Sequence, residues 1–550
     1  MNREHCHTEL HDKMNRLLSG PLVHTRAAAL AGLLVPLASV AAVAAPGGQC
    51  DFYSGGLAAS LFDPVPDLIG GDGRRVRTND EQLATMGRVV AGVAADGVSQ
   101  VVMRISGSFG AGSGEQITVT VLRNGVNPSM SVDDDGSVGA VGAECPGTGC
   151  QSNHVTVTTK CMNGTLLAFA VYRSPTDFPR SSVNDSARVF RDVHLRLSSA
   201  FGEAGVTVRV MRPPVALIHG LWSNADAWEH FSPLLSSAMS DVRFRVAPLD
   251  YGYIPVRVIS SSPPLTVDGL GKVTANSLGF TFNRGPLRQQ IIALVNDFKT
   301  GVNPEGIPVA SVQADVVGHS MGGTIARSMV LDAQFLSDSS FRQGVIHKLI
   351  TIDTPHLGSA LATRLLADDE FDGCFQHSFG NIGQAVLTTA VVASGNRSNV
   401  VNGAVGDLVD SPMSAALQDL ANNNSHQLPT AMISGAYRNW AWLDSNFNIS
   451  KYLIQHWPTG CPGDPLLSKL NSTDWPAIFN EDNDGIVQRT SQENGLTTSG
   501  FLDGYAHSEG TTQLGFAAPT VLAPGASPLL VIGLLNTPLT NAQFYKKINP

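Results

Sequence analysis

The sequence contains no basic run of any length, and its formal net charge is −10. With a pI near 5.8, that absence excludes a groove for nucleic acid, which needs clustered lysine and arginine. No internal repeat is found, so repeat architectures are set aside. Beyond residue 45 no apolar run approaches the length of a membrane span. The cysteines carry no C-x-x-C pair and no His–Cys spacing, which argues against a zinc site. Charged residues are only 15% against 43% hydrophobic, a globular balance rather than a disordered one. At 550 residues the chain exceeds one ordinary core and implies at least two domains.

The N-terminus reads as an address. Arg16, His24 and Arg26 precede the apolar stretch "AAALAGLLVPLASVAAVAA", residues 27–45, which ends in alanines a signal peptidase could cut. A signal peptide over residues 1–45 implies a secreted or periplasmic protein. Met14 is an alternative start, and the "GGQ" before Cys50 is a poor lipobox. Of the seven cysteines Cys6 leaves with the signal, and Cys50, Cys145, Cys150, Cys161, Cys374 and Cys461 remain. An even count in an exported chain implies disulfides. Pairing within domains points to Cys374–Cys461.

Residues 46–211 read as a β-rich domain. "VSQVVMRISGSF", "EQITVTVLRNG", "HVTVTTKCMNG", "LLAFAVYR" and "VTVRVM" are β-branched runs divided by Gly and Asn, the pattern of a small sandwich or barrel. "SVDDDGSVGAVGAECPGTG" reads as an exposed, solvated loop, because its aspartates show no calcium-ligand spacing. After "RPP" at 212–214 the character changes. "VALIHG", "FRVAPLDYG", "ASVQADVVGHS", "HKLITIDTP" and "PTAMISGAY" are short apolar strands. Helical stretches such as "PLRQQIIALVNDFKTG", residues 286–301, alternate with them. The alternation implies βαβ units and a mostly parallel sheet covered on both faces. Residues 253–285, rich in Ser, Pro and Gly, read as an inserted loop.

"ADVVGHSMGGTIAR", residues 314–327, runs from β-formers through glycines into helix-formers. A serine hydroxyl needs a base to remove its proton and must stand clear of its own backbone. A sharp strand-to-helix turn exposes Ser320, Gly318 and Gly322 make room for it, and Gly323 lets the helix approach the sheet. The amides opening the helix point to where an oxyanion would form.

"VVGHSMGG", with "VALIHGLWSNADAW" upstream and "TPHLGS" downstream, resembles the secreted bacterial lipases and esterases of the α/β-hydrolase fold. The resemblance covers residues 212 to about 545 and implies hydrolysis of acyl esters; nothing in 51–211 takes part in it. It implies the chain order nucleophile, acid, base. The base is then expected near the C-terminus, where His507 in "FLDGYAHSEGT" fits. The family's N-D-G-hydrophobic-V pattern maps onto "NDGIV" and makes Asp484 the acid, with Asp482 its main rival and Asp353 holding its own loop. The oxyanion hole is expected from the backbone N–H of Met321, directly after the nucleophile, and of Leu221, where the resemblance points. His219 shapes that loop. No cofactor is required. Many relatives hold a structural calcium, whose ligands the sequence does not locate.

The catalytic domain is thus expected over 212–550, with a cap over 358–428 whose apolar segments suit acyl chains and a lipid surface. Extra helices on the core are the bland reading of that cap. Three alternatives share these residues. One is an acyltransferase on the same triad, another an amidase, and the third a binding or adhesion protein with an accessory hydrolase domain.

Overall fold

Alternating β-branched residues build the first half of the chain, seen here in a computed structural model. It describes residues 50, 56–107, 114–123, 132–145, 148–162, 164–221, 223–236, 240–251, 279–367, 403–423, 427–438, 474–507 and 519–545. The strands are β1 (Ala58–Asp63), β2 (Arg88–Val89), β3 (Gly92–Ala94), β4 (Gln100–Ser106), β5 (Gln116–Leu122), β6 (Ser137–Ala140), β7 (His154–Thr158), β8 (Lys160–Met162), β9 (Thr165–Arg173), β10 (Phe190–Ser199) and β11 (Gly202–Met211). One sheet runs β2-β1-β4-β9-β6, with β8 also on β9; the other contains β3-β11-β10-β5-β7. Val101, Met103 and Ile105 of the first sheet meet Val119, Leu195 and Val208 of the second in one buried cluster. The inward residues of β5 are buried and the outward ones are not, as a sheet with one wet face requires. The arrangement is a sandwich, not a barrel.

The aspartate-rich segment is not the solvated loop its composition suggests. Asp135 is buried and ion-paired with Arg191 at 2.7 Å, and the residues after it form β6. A carboxylate with a guanidinium partner of that quality can be taken from water, and composition alone does not show the partner 56 residues away. Cys50 pairs with Cys161 and Cys145 with Cys150. The proposed Cys374–Cys461 pair, the signal segment and most of the 253–285 insert lie outside the described residues.

The second half is layered. β12 (Val215–Ile218), β13 (Val246–Leu249), β14 (Val309–Ala310), β15 (Ala314–His319), β16 (Ile346–Ile352), β17 (Thr430–Ala436) and β18 (Gly500–Asp503) follow in sequence. All but β14 form a sheet in the order β13-β12-β15-β16-β17-β18, parallel throughout. Its central strands are buried from end to end because both faces are covered. Ala216 and Ile218 face a cluster with helices Phe280–Lys299 and Met321–Ser328. Val215 and Leu217 face the opposite cluster with helix Ser527–Leu535. Helix Phe280–Lys299 begins six residues before the amphipathic stretch read from the sequence, with Pro286 inside it.

The stretch "ASVQADVVGHS" is two strands, not one. β14 pairs in parallel with β3 of the sandwich, whereas β15 enters the parallel sheet. Asp96 separates them, its carboxylate accepting from the amides of Val312 at 3.1 Å and Gln313 at 3.2 Å. Ala45–Pro550 form one compact unit. Within it, His347 links the two halves, its ring within 2.7 Å of Asp315 Oδ1 and 2.8 Å of Thr176 O. Among the described residues, no helix is long and apolar enough to cross a membrane.

Candidate active site

Ser320 sits where β15 turns into helix Met321–Ser328, with φ 56° and ψ −136°, a region that residues other than glycine seldom enter. Its amide donates to Ile352 O at 2.9 Å, anchoring the turn to β16. The turn closes only because its neighbours are small. A Cβ on Gly318 would lie 2.5 Å from Gly323 Cα, and one on Gly322 would strike the carbonyl oxygens of Ile218 and His219. Helix and sheet therefore approach to backbone contact on either side of the hydroxyl.

From 187 residues further along the chain, His507 brings Nε2 to 2.8 Å from Ser320 Oγ. Its Nδ1 lies 2.6 Å from Asp484 Oδ2. The His507 amide donates to Asp484 O at 3.1 Å, so the two loops that carry the pair are tied to each other by backbone as well. Asp484 is held from all sides. Oδ1 accepts from the amides of Ile486 at 2.9 Å and Val487 at 2.8 Å, and Oδ2 also accepts from Gln492 Nε2 at 3.0 Å. Four donors thus converge on one buried carboxylate. With Nδ1 donating to Asp484, the other ring nitrogen, Nε2, is left as the acceptor facing Ser320 Oγ.

The structure thus brings Ser320, His507 and Asp484 into one line, and it leaves the rival carboxylate out. Asp482 is exposed on the surface, paired with Arg438 at 3.1 Å. Met321 opens the helix directly after Ser320 and is fully buried. Leu221, half-buried, follows Gly220. Gly220 presses against Ser320 so closely that a Cβ there would lie 2.7 Å from Ser320 Cβ. His219 holds this loop as a stacked partner of Tyr251, with ring centroids 4.2 Å apart. Tyr251 Oη donates to His219 O at 2.6 Å.

One residue at the site was missed by sequence reasoning. Gln492 bridges Asp484 and the Gly435 amide, which donates to Gln492 Oε1 at 2.7 Å; nothing in "SQENG" marks it. Asp353, read from the sequence as holding its loop, lies beside the pair. One oxygen of its carboxyl, one of Asp484 and a ring nitrogen of His507 all lie within 4.8 Å of one another. Among the described residues this trio is the one grouping close enough to hold a cation. Two of its members already share the Nδ1–Oδ2 hydrogen bond, so it does not locate a calcium of the kind many relatives hold.

Residues 306–446 match the family model described as a PGAP1-like alpha/beta domain. No curated protein matches the chain in sequence. A Staphylococcus hyicus lipase structure is similar at 10% identity and a TM-score of 0.28, covering 54% of this chain and 88% of that one. A Vigna radiata epoxide hydrolase mutant is similar at 14% identity and a TM-score of 0.24, covering 59% of this chain and 95% of that one. At such scores neither likeness carries weight alone. The parallel sheet order, the Ser320 turn and the domain match together give the chain an α/β-hydrolase fold.

Proposed function

We propose that the protein is a serine hydrolase that cleaves carboxylic esters, with Ser320 as nucleophile, His507 as base and Asp484 as the acid that orients it. The observation carrying this reading is the unbroken relay from Ser320 Oγ through His507 at 2.8 Å to Asp484 at 2.6 Å. In the first half-reaction Oγ attacks the ester carbonyl carbon while its proton passes to His507 Nε2. The carbonyl oxygen becomes an oxyanion, held by the N–H groups of Met321 and Leu221. Collapse breaks the bond to the alcohol, which leaves with the proton from His507 and strands the acyl group on Ser320. Water then repeats the sequence, releasing the acid and restoring the serine. Losing one oxyanion donor in such a site costs about 3 kcal/mol of transition-state stabilisation.

The substrate class we infer is a lipid acyl ester. Half-buried Leu221, Leu361, Leu366, Ile478 and Ile486 pack against the core cluster that contains Met321 and Ala506, the neighbours of Ser320 and His507. That apolar side suits an acyl chain better than a charged acid. The remainder of the proposed cap, residues 368–402, lies outside the described residues. Export to an oxidising compartment is supported by the two disulfides of the sandwich. The test is a chain-length series of p-nitrophenyl esters and triglycerides, run as monomers and as emulsions, on wild type and Ser320→Ala. Turnover that Ser320→Ala abolishes supports the reading, and equal turnover by the two proteins refutes it. Adding an alcohol acceptor to the same assay separates hydrolysis from acyl transfer.

A further inference from the structure

Asp353 follows β16 directly, with φ 47°, and is fully buried beside the relay. Neither of its carboxyl oxygens has a hydrogen-bond partner of good geometry. The contrast with Asp484, which has four donors, is the key to the pair. Two carboxylates this close cannot both carry charge without a cation between them. The titratable groups facing Asp353 among the described residues are Asp484, from the turn before helix Arg489–Glu493, and His507, from the loop after β18. Its other neighbour, Gly435 of β17, brings only a backbone amide, and that amide donates to Gln492. The donors therefore assign the charge to Asp484 and the proton to Asp353. Burial, and after it the adjacent Asp484 charge, push the Asp353 carboxyl well above the ordinary carboxylate range, in the same direction.

We propose that Asp353 is a positioning residue, a neutral carboxylic acid whose O–H supports ionised Asp484 from behind. When Asp484 is neutralised, Asp353 becomes the carboxylate that serves His507. The proposal rests on reading Ser320, His507 and Asp484 as the triad. In the resting site the Asp353 proton points at Asp484 and adds a fifth donor to it, steadying the carboxylate through formation of the imidazolium. If Asp484 is replaced by Asn, the charge opposing ionisation of Asp353 is gone. Burial still opposes its ionisation, but Asp353 then loses its proton at a lower pH than in wild type and can pair with the His507 ring.

Four variants test this: Asp353→Ala, Asp353→Asn, Asp484→Asn and the double Asp353→Asn/Asp484→Asn. Asp353→Ala lowers kcat about 10- to 100-fold, the usual cost of losing a hydrogen bond to a charged group, with KM little changed. Asp353→Asn, which keeps a donor, recovers most of that loss. The residual activity of Asp484→Asn climbs with pH along a limb that wild type lacks, and the double variant loses both the limb and the residue of activity. Infrared difference spectra of wild type minus Asp353→Asn at neutral pH contain the carbonyl stretch of a protonated carboxylic acid. Overturning results are an Asp353→Asn loss as deep as that of Asp484→Asn, a carboxylate band in place of the acid band, or an Asp484→Asn profile parallel to wild type. This last reading needs no folded Asp353 variant. The infrared band is independent of catalysis, so turnover surviving in Ser320→Ala sinks the functional reading while leaving the proton assignment to stand or fall by itself.

Discussion

His319 Nε2 lies 2.9 Å from the carbonyl oxygen of His507, joining the residue before the proposed nucleophile, Ser320, to the residue proposed as its base. The carbonyl can only accept, so Nε2 carries the proton. Burial, with the neighbouring His507 adding to it, holds the His319 imidazole well below the ordinary histidine value, keeping the ring neutral. The hydrogen bond thus fixes the approach of His507 to Ser320 without placing a second cation beside it. Replacing His319 by Phe keeps a ring and removes the donor. The expected result is a kcat lowered roughly 2- to 10-fold, the worth of one neutral hydrogen bond, with KM little changed; steady-state kinetics on a soluble ester measure both.

Asp484 and Asp482 separate cleanly by mutation. Asp484→Asn should cost on the order of 10⁴ in kcat, because an amide stabilises the wrong imidazole tautomer. Asp482→Asn removes an exposed ion pair with Arg438, and such pairs are worth about 0–1 kcal/mol of stability, with no path to His507. Its rate should match wild type. A larger loss at Asp482 would mean that the relay runs through the other carboxylate.

His356 of the "TPHLGS" loop makes a prediction about pH. It is buried, with its Nε2 3.1 Å from Thr351 Oγ1 and its Nδ1 3.4 Å from Arg327. Burial first, and the Arg327 charge second, hold it well below the ordinary histidine value. The folded protein therefore binds fewer protons at this site than the unfolded chain. The contribution to stability is complete above the unfolded value of about 6.5 and is lost as pH falls below it. In His356→Gln that loss is absent. The gap in Tm between wild type and the variant should shrink as pH drops from 7 to 5, and thermal melts at a series of pH values show it.

Gly318→Ala tests the turn itself. The added methyl would stand 2.5 Å from Gly323 Cα, a backbone atom that cannot swing aside. Overpacking of this kind costs about 1–3 kcal/mol, and relief requires the helix to move off the sheet, taking Ser320 with it. Activity should fall further than the melting temperature implies, a comparison that needs only melts and rates on the same sample.

Much of this was legible in the chain. The parallel strands announced themselves because a strand buried on both faces must be apolar throughout, and "VALI" and "DVVG" are nearly so. Ser320 was legible because its turn admits only glycine at the crowded positions. Asp484 and His507 came from chain order and a family pattern, not from any local physics. What stayed hidden is tertiary. Asp135 reads as solvated until Arg191 meets it, and β14 reads as continuous with β15 until Asp96 caps the break. Gln492 reaches Asp484 from only eight residues on and ties it to the Gly435 amide, 57 residues back, and the sequence marks neither contact.

The central claim is that Ser320 is an activated nucleophile, and covalent capture addresses it most directly. Treated with a p-nitrophenyl phosphonate or phosphate ester, the wild-type protein should release one equivalent of p-nitrophenol and become inactive. Peptide mass spectrometry should then place the adduct on Ser320, with labelling slowed in His507→Ala and absent in Ser320→Ala. Labelling at another residue, or equal labelling of Ser320→Ala, would contradict the account.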